Sequence, residues 1–200
     1  LIHGSKALVD GGRRNYFSAL QGVREAHRRF QEAQRLDPAL VDALYGLGLY
    51  HIALDRLPSL VRPFAALVLP GGDAALGIKE LERVAETGAY LKMTARVALL
   101  HVYAGMEHRY AEAVRLGQDL LRRFPGNPEL YFATAHAASE GGRFEEALAI
   151  ARRVGQQVAE DRPRFAGLSA RYNQLIGKVY MDRGDYATAL TFFQRAVQAP

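Results

Sequence analysis

An aromatic residue followed three positions later by Ala, and then by Leu or Val, recurs along this chain just after Gly-rich or polar turns. The four occurrences are Tyr16/Ala19/Leu20, Tyr110/Ala113/Val114, Phe144/Ala147/Leu148 and Tyr186/Ala189/Leu190. Tyr110 and Phe144 are 34 residues apart. A period of that length marks a helix–turn–helix unit that buries its apolar edge only by stacking on a neighbour. The register is uneven: Phe144 to Tyr186 spans 42 residues, with the extra length around Gln156 to Gly167, and Tyr16 to Tyr110 spans 94.

Apolar residues recur at intervals of three and four rather than two, and Ala, Leu, Arg and Glu dominate, so the expected class is all-α. The clearest helix runs over 16–36, with Ala19, Val23, Ala26, Phe30, Ala33 and Leu36 on one stripe and Asp37-Pro38 as its stop. A short helix is expected over 3–10, a second long one over 41–57, and a short inserted one over 59–68. Another should start at an N-cap near Asp73 and stop at Gly88. Six more are expected near 90–105, 109–123, 128–140, 143–158, 165–182 and 185–198. Their short connections force neighbouring helices to be antiparallel. Gly48, Gly77, Ala113, Ala147, Gly177 and Ala189 are read as helix crossings, and Tyr110, Phe124, Tyr131, Phe144 and Phe193 as fillers between layers.

These residues resemble the tetratricopeptide repeat (TPR) family. Ala170 to Pro200 carries Gly177, Tyr180, Gly184, Tyr186, Ala189, Phe193 and Ala196. Thr94 to Pro125 carries Tyr110, Ala113 and Pro125, and a unit from Pro128 keeps Tyr131, Phe144 and Ala147. Ala26-x3-Phe30-x2-Ala33-x2-Leu36-Asp37-Pro38 looks like the end of a further unit, and Leu47-Gly48 like the start of the next. The resemblance implies a right-handed superhelical array of antiparallel helix hairpins over 1–200. Within it, 1–90 is irregular with an insertion at 58–70, and 91–200 holds more regular repeats at 94–127, 128–162 and 165–200. An irregular TPR-like protein of bacterial type fits best, because Arg outnumbers Lys by 22 to 4, as GC-rich codon usage produces.

No catalytic, metal or cofactor site emerges. The chain has no Cys, which removes thiolate ligands and cysteine nucleophiles. Its six His residues (His3, His27, His51, His101, His108, His136) form no His-x3-His pair, and His51 and His101 read as core histidines. Gly72-x4-Gly77 lacks the Lys of a phosphate loop. Glu80/Glu82, Glu145/Glu146 and Glu160/Asp161 sit in polar stretches near helix ends and read as solvated charges. The net charge is +5, but Arg24, Arg28 and Arg29 lie among Glu25 and Glu32, and no run of five like charges occurs. Nucleic-acid binding through an Arg-rich surface is therefore the alternative reading, not the leading one.

The resemblance implies a non-enzymatic scaffold that binds a protein or peptide segment in a concave groove lined by the first helix of each hairpin. The groove candidates are Tyr45 and Leu49, Phe132 and His136, and Arg171, Gln174 and Lys178. A carboxylate clamp of the kind some members use on chaperone tails is not expected, since Ala98, Val102 and Phe132 occupy the positions that would need polar groups. Arrays end in a polar capping helix. The last helix here instead carries Phe192-Phe193, which points to further repeats or to a self-association edge at Phe192. The apolar segment Val61–Leu69 raises a membrane-associated assembly module as a further alternative. It is too short and too broken by Pro58, Arg62 and Pro63 to span a bilayer. The cytoplasm is the default compartment. Residue 1 is Leu rather than Met, so a processed or excised form is expected, and export after loss of a leader is the alternative to the cytoplasm.

Overall fold

The computed structural model describes residues 16–160 and 167–199, apart from Val61 and Val68. The expected helix at 3–10, together with His3, lies outside them. The regular elements among the described residues are all helices: α1 Tyr16–Leu36, α2 Ala43–Asp55, α3 Arg62–Ala66, α4 Ala74–Thr87, α5 Lys92–Gly105, α6 Tyr110–Arg123, α7 Pro128–Glu140, α8 Phe144–Glu160, α9 Leu168–Asp182 and α10 Tyr186–Gln198. They form two compact units that divide within α5, after Arg96.

Local chemistry sets the helix ends. Asp73 Oδ1 accepts the Leu76 N–H at 2.9 Å to start α4. Asn127 does the same for Glu129 ahead of Pro128 in α7, and Asp185 for Thr188 in α10. Asp73 is therefore a cap and no part of a phosphate loop.

In the first unit α2 packs against α1 and α4. Leu44, Leu47, Val84 and Ala95 form a buried cluster, with Phe30, Val41, Tyr45, Ala85 and Leu91 packed on it. Asp42, just ahead of α2, is buried. Its carboxylate accepts the N–H groups of Ala89 (3.0 Å), Tyr90 (3.1 Å) and Leu91 (2.6 Å). These donors belong to the turn that leads from α4 into α5, and their acceptor lies nearly fifty positions away in sequence. Burial alone would raise the Asp42 pKa; the three N–H groups outweigh it and hold the carboxyl below its ordinary value.

A second cluster gathers around His51, read from the sequence as a core histidine. His27 of α1 stacks on Tyr50 of α2 with ring centroids 3.9 Å apart, and His51 meets it edge-on at 6.2 Å. His51 Nδ1 lies 2.7 Å from Glu80 Oε2, so Glu80 is a part-buried partner rather than a solvated charge. The Tyr50 hydroxyl donates to the Pro70 carbonyl at 2.8 Å, and burial pushes its pKa up to about 12. The inserted segment turns Ala65 and Leu69 inward and leaves Leu60 and Leu67 exposed.

In the second unit each aromatic–x2–Ala motif opens the second helix of a hairpin, at Tyr110, Phe144 and Tyr186. Ala113, Ala147 and Ala189 are buried at the crossings. The Phe193 ring lies against Gly177, which leaves no room for a side chain there. α7 packs on α6, α8 and α9, and α9 packs on α8 and α10. Phe124, read from the sequence as an interlayer filler, is instead largely exposed beyond the end of α6.

The three hairpin turns share one backbone feature. The residue two before each aromatic has positive φ: His108 at 54°, Gly142 at 73° and Gly184 at 88°. The α5–α6 turn (106–109) is one residue longer than the turns at 141–143 and 183–185. Its closing hydrogen bond shows the extra residue: Arg109 N–H reaches back to the Tyr103 carbonyl, whereas Arg143 reaches Ala138 and Asp185 reaches Tyr180.

Candidate functional site

Within the second unit, α5, α7 and α9 open onto one cleft of about 450 Å³, a size suited to small ligands or a few side chains of a bound segment. Counting back from the last residue of each helix (Gly105, Glu140 and Asp182) brings the lining into register. His101, His136 and Lys178 stand four residues before those ends. Ala133 and Leu175 stand seven before, Phe132 and Gln174 eight, and Glu129 and Arg171 eleven. Neighbouring helices thus present matching positions side by side.

Small side chains make the space: Ala104 and Gly105 on α5, and Ala133 on α7. Phe132 is 5% exposed, because the Arg171 guanidinium covers its ring at 4.2 Å. Arg171 also pairs with Glu129. At the other end the Lys178 ammonium lies 2.9 Å from both Glu140 and Asp182. Burial works against its charge, but these hydrogen bonds outweigh it and hold its pKa above the usual lysine value. The Ser139 hydroxyl donates to Asp182 at 2.8 Å and fixes that carboxylate. His136 Nε2 is 3.7 Å from Glu140, too far for a hydrogen bond.

Five residues named from the sequence (Phe132, His136, Arg171, Gln174 and Lys178) line this cleft. Tyr45 and Leu49 do not; both belong to the first unit. Tyr45 packs on its buried cluster, where burial raises the phenol pKa, and Leu49 is exposed. On α5 the sequence register pointed to Ala98 and Val102. Val102 is buried, and His101, read as a core histidine, is exposed and faces the cleft. The longer α5–α6 turn shifts the register by one, so counting from the helix end rather than from Tyr110 finds His101.

Phe192 is half-buried, stacked on Tyr180 with centroids 5.7 Å apart and the Arg195 guanidinium 5.1 Å away. The outer face of α10 carries Leu190 and Val197 instead.

Among the described residues no three His, Asp or Glu side chains converge to hold a metal ion. None of the described helices is long and apolar enough to cross a membrane.

The arrangement matches solved structures. MamA AMB-1 in two crystal forms aligns with TM-scores of 0.59 and 0.55, and MamA MSR-1 with 0.57. Identity is 20% in each case, and the alignments cover at least 98% of this chain and at least 94% of the other. At that identity the likeness shows a shared fold. No curated protein sequence matches the chain. Residues 15–59 and 106–172, together more than half of the chain, match family descriptions of the tetratricopeptide repeat. The chain is all-α, is built of helix hairpins, and belongs to the tetratricopeptide repeat family, whose members act as protein-interaction scaffolds.

Proposed function

We propose that the α5/α7/α9 cleft binds an extended or helical segment of a partner protein. The observation that carries this reading is the ladder of matched positions, which turns three separate helices into one continuous trough. His101/His136/Lys178 form one rung and Phe132/Gln174 another. Ala104, Gly105 and Ala133 leave room for a backbone, and Leu175 supplies apolar surface. The Gln174 side chain is exposed in this lining and offers both a donor and an acceptor to a bound main chain. Arg171 and Lys178 are held in place by their acidic partners, so little side-chain entropy is lost when they engage a ligand. The same pairing leaves no stripe of uncompensated positive charge, which disfavours a polyanion.

The test is a selection from a random peptide library on the intact protein, with Ala104→Trp as the blocked comparison. Selected peptides should bind wild type at micromolar Kd, and the blocked variant at least about tenfold more weakly, a loss of ~1.4 kcal/mol. Peptides that bind both proteins equally would refute the cleft as the site.

A further inference from the structure

A helix is held to its neighbour chiefly by the apolar side chains it buries, and α1 departs from that pattern. The residues that α2 buries include Leu44, Leu47 and Ile52, and those of α4 include Ile78, Leu81 and Val84. Over 21–36 of α1 one residue is fully buried, and it is His27, 4% exposed. Val23, Ala26, Phe30 and Ala33 reach only partial burial, and Leu36, at the end of the same stripe, is exposed. The Phe30 ring fills the space that Gly46 of α2 leaves open.

The buried imidazole is not satisfied where it sits. Nε2 of His27 meets no hydrogen-bond partner among the described residues, and neither does Oε1 of Gln34, two turns further along α1. The titratable and charged groups around His27 are few. Arg24, one turn back on α1, is exposed. Tyr50 and His51 face it from α2. Behind His51 stands Glu80 of α4, with Asp73 acting on Glu80 in turn. A proton on His51 is balanced in place, because Glu80 Oε2 lies 2.7 Å from its Nδ1. A proton on His27 has no such partner, and the charge that weighs on it is that of His51.

We propose that mild acid releases α1 from α2 as a unit, with His27 as the trigger. Docked, the ring is dry and neutral. Released, it meets water and takes a proton near the ordinary histidine value of about 6.5. Burial and His51 both disfavour the charged ring in the docked state. The released fraction therefore climbs as pH falls from about 6.5, by up to tenfold per unit, until the docked ring itself takes the proton. The rest of the unit keeps its own ties: the Gly48/Gly77 crossing of α2 with α4 and the three hydrogen bonds to Asp42 do not involve α1. Release uncovers Tyr50 and the Gly46 face of α2.

Native-state hydrogen exchange of the intact chain tests this. Each amide's rate, divided by its intrinsic rate at the same pH, gives an opening constant for its helix. From about pH 7.5 to about pH 5.5 the constants over Val23–Ala33 should rise about tenfold, while those of α7 and α8 change by less than about twofold. His27→Phe should remove the rise, and His51→Gln, which keeps a hydrogen-bonding group toward Glu80, should retain it. The ring 15N shifts of His27 in the wild type give a readout that needs no variant: neutral in the docked state, charged in the released one. An α1 opening constant that stays flat in the wild type, an equal rise in every helix, a rise that survives His27→Phe, or a charged His27 in the docked state would each overturn the proposal.

Discussion

The carbonyl oxygen of Gly48 lies 2.5 Å from where a Cβ on Gly77 would stand, and the carbonyl of Gly77 lies 2.7 Å from where one on Gly48 would stand. α2 and α4 therefore cross backbone to backbone. The propensity cost of a mid-helix glycine in each is offset by the depth of that contact. Either Gly48→Ala or Gly77→Ala should push the helices apart and cost about 2 kcal/mol, as overpacking a filled site does. Gly71→Ala, with nothing within 4 Å, should be close to neutral. Urea unfolding of the three variants makes the comparison.

Asp42→Asn should cost about 2 kcal/mol at pH 7, because a charged acceptor serving three backbone donors is replaced by a neutral one. The folded pKa of Asp42 is depressed, so its contribution is present in full above the unfolded carboxyl pKa and is lost as pH falls through the folded value. The gap between wild type and variant should narrow below about pH 4. A gap that stays constant from pH 7 to pH 2.5 would mean that the carboxylate charge contributes nothing.

Burial, and then the neighbouring His51, push the His27 pKa below its ordinary 6.5. The unfolded chain therefore binds this proton more readily, and stability falls as pH drops from about 6.5 toward the folded value. Glu80 is shifted the other way by burial and gains relative stability as it protonates, starting from the carboxylate end of the range. His27→Phe keeps the stack on Tyr50 and removes the titration. Its unfolding midpoint should change less than that of wild type between pH 7.5 and 5.5.

How much of this was readable beforehand depended on whether the signal was local. Asp37-Pro38, Gly88, Asn127-Pro128, Gly141-Gly142 and Gly184-Asp185 punctuate the chain, and the helix ends fall on them or beside them. Asp42 gave no such signal: its three donors are 47 to 49 residues away, and nothing around it marks an acceptor for a distant turn. Glu80 and His51 lie on different helices and meet only through the Gly48/Gly77 crossing. On α10 adjacent Phe192 and Phe193 point about 100° apart, and periodicity alone does not say which one packs on α9. His101 was displaced in the reading by a single extra turn residue.

That turn makes its own prediction. His108 adopts at φ 54° the conformation that Gly142 and Gly184 supply in the other two hairpins. Its ring nitrogen Nδ1 lies 2.8 Å from the Tyr110 hydroxyl, which offsets part of the strain. His108→Gly should stabilise the protein by about 0.5 kcal/mol, while Gly142→Ala and Gly184→Ala should each destabilise it by about 1 kcal/mol. Thermal melts that rank the three in any other order would contradict the shared-turn description.

The most direct measurement of the binding proposal is an amide chemical-shift titration of the uniformly labelled protein with a library-selected peptide. Saturable shifts should concentrate on His101, Ala104 and Gly105, on Phe132 to His136, and on Arg171 to Lys178, with α6 and α8 quiet. The same titration of Ala104→Trp should leave these signals in place. Shifts confined to α6, α8 or the first unit, or an identical pattern in the blocked variant, would contradict it.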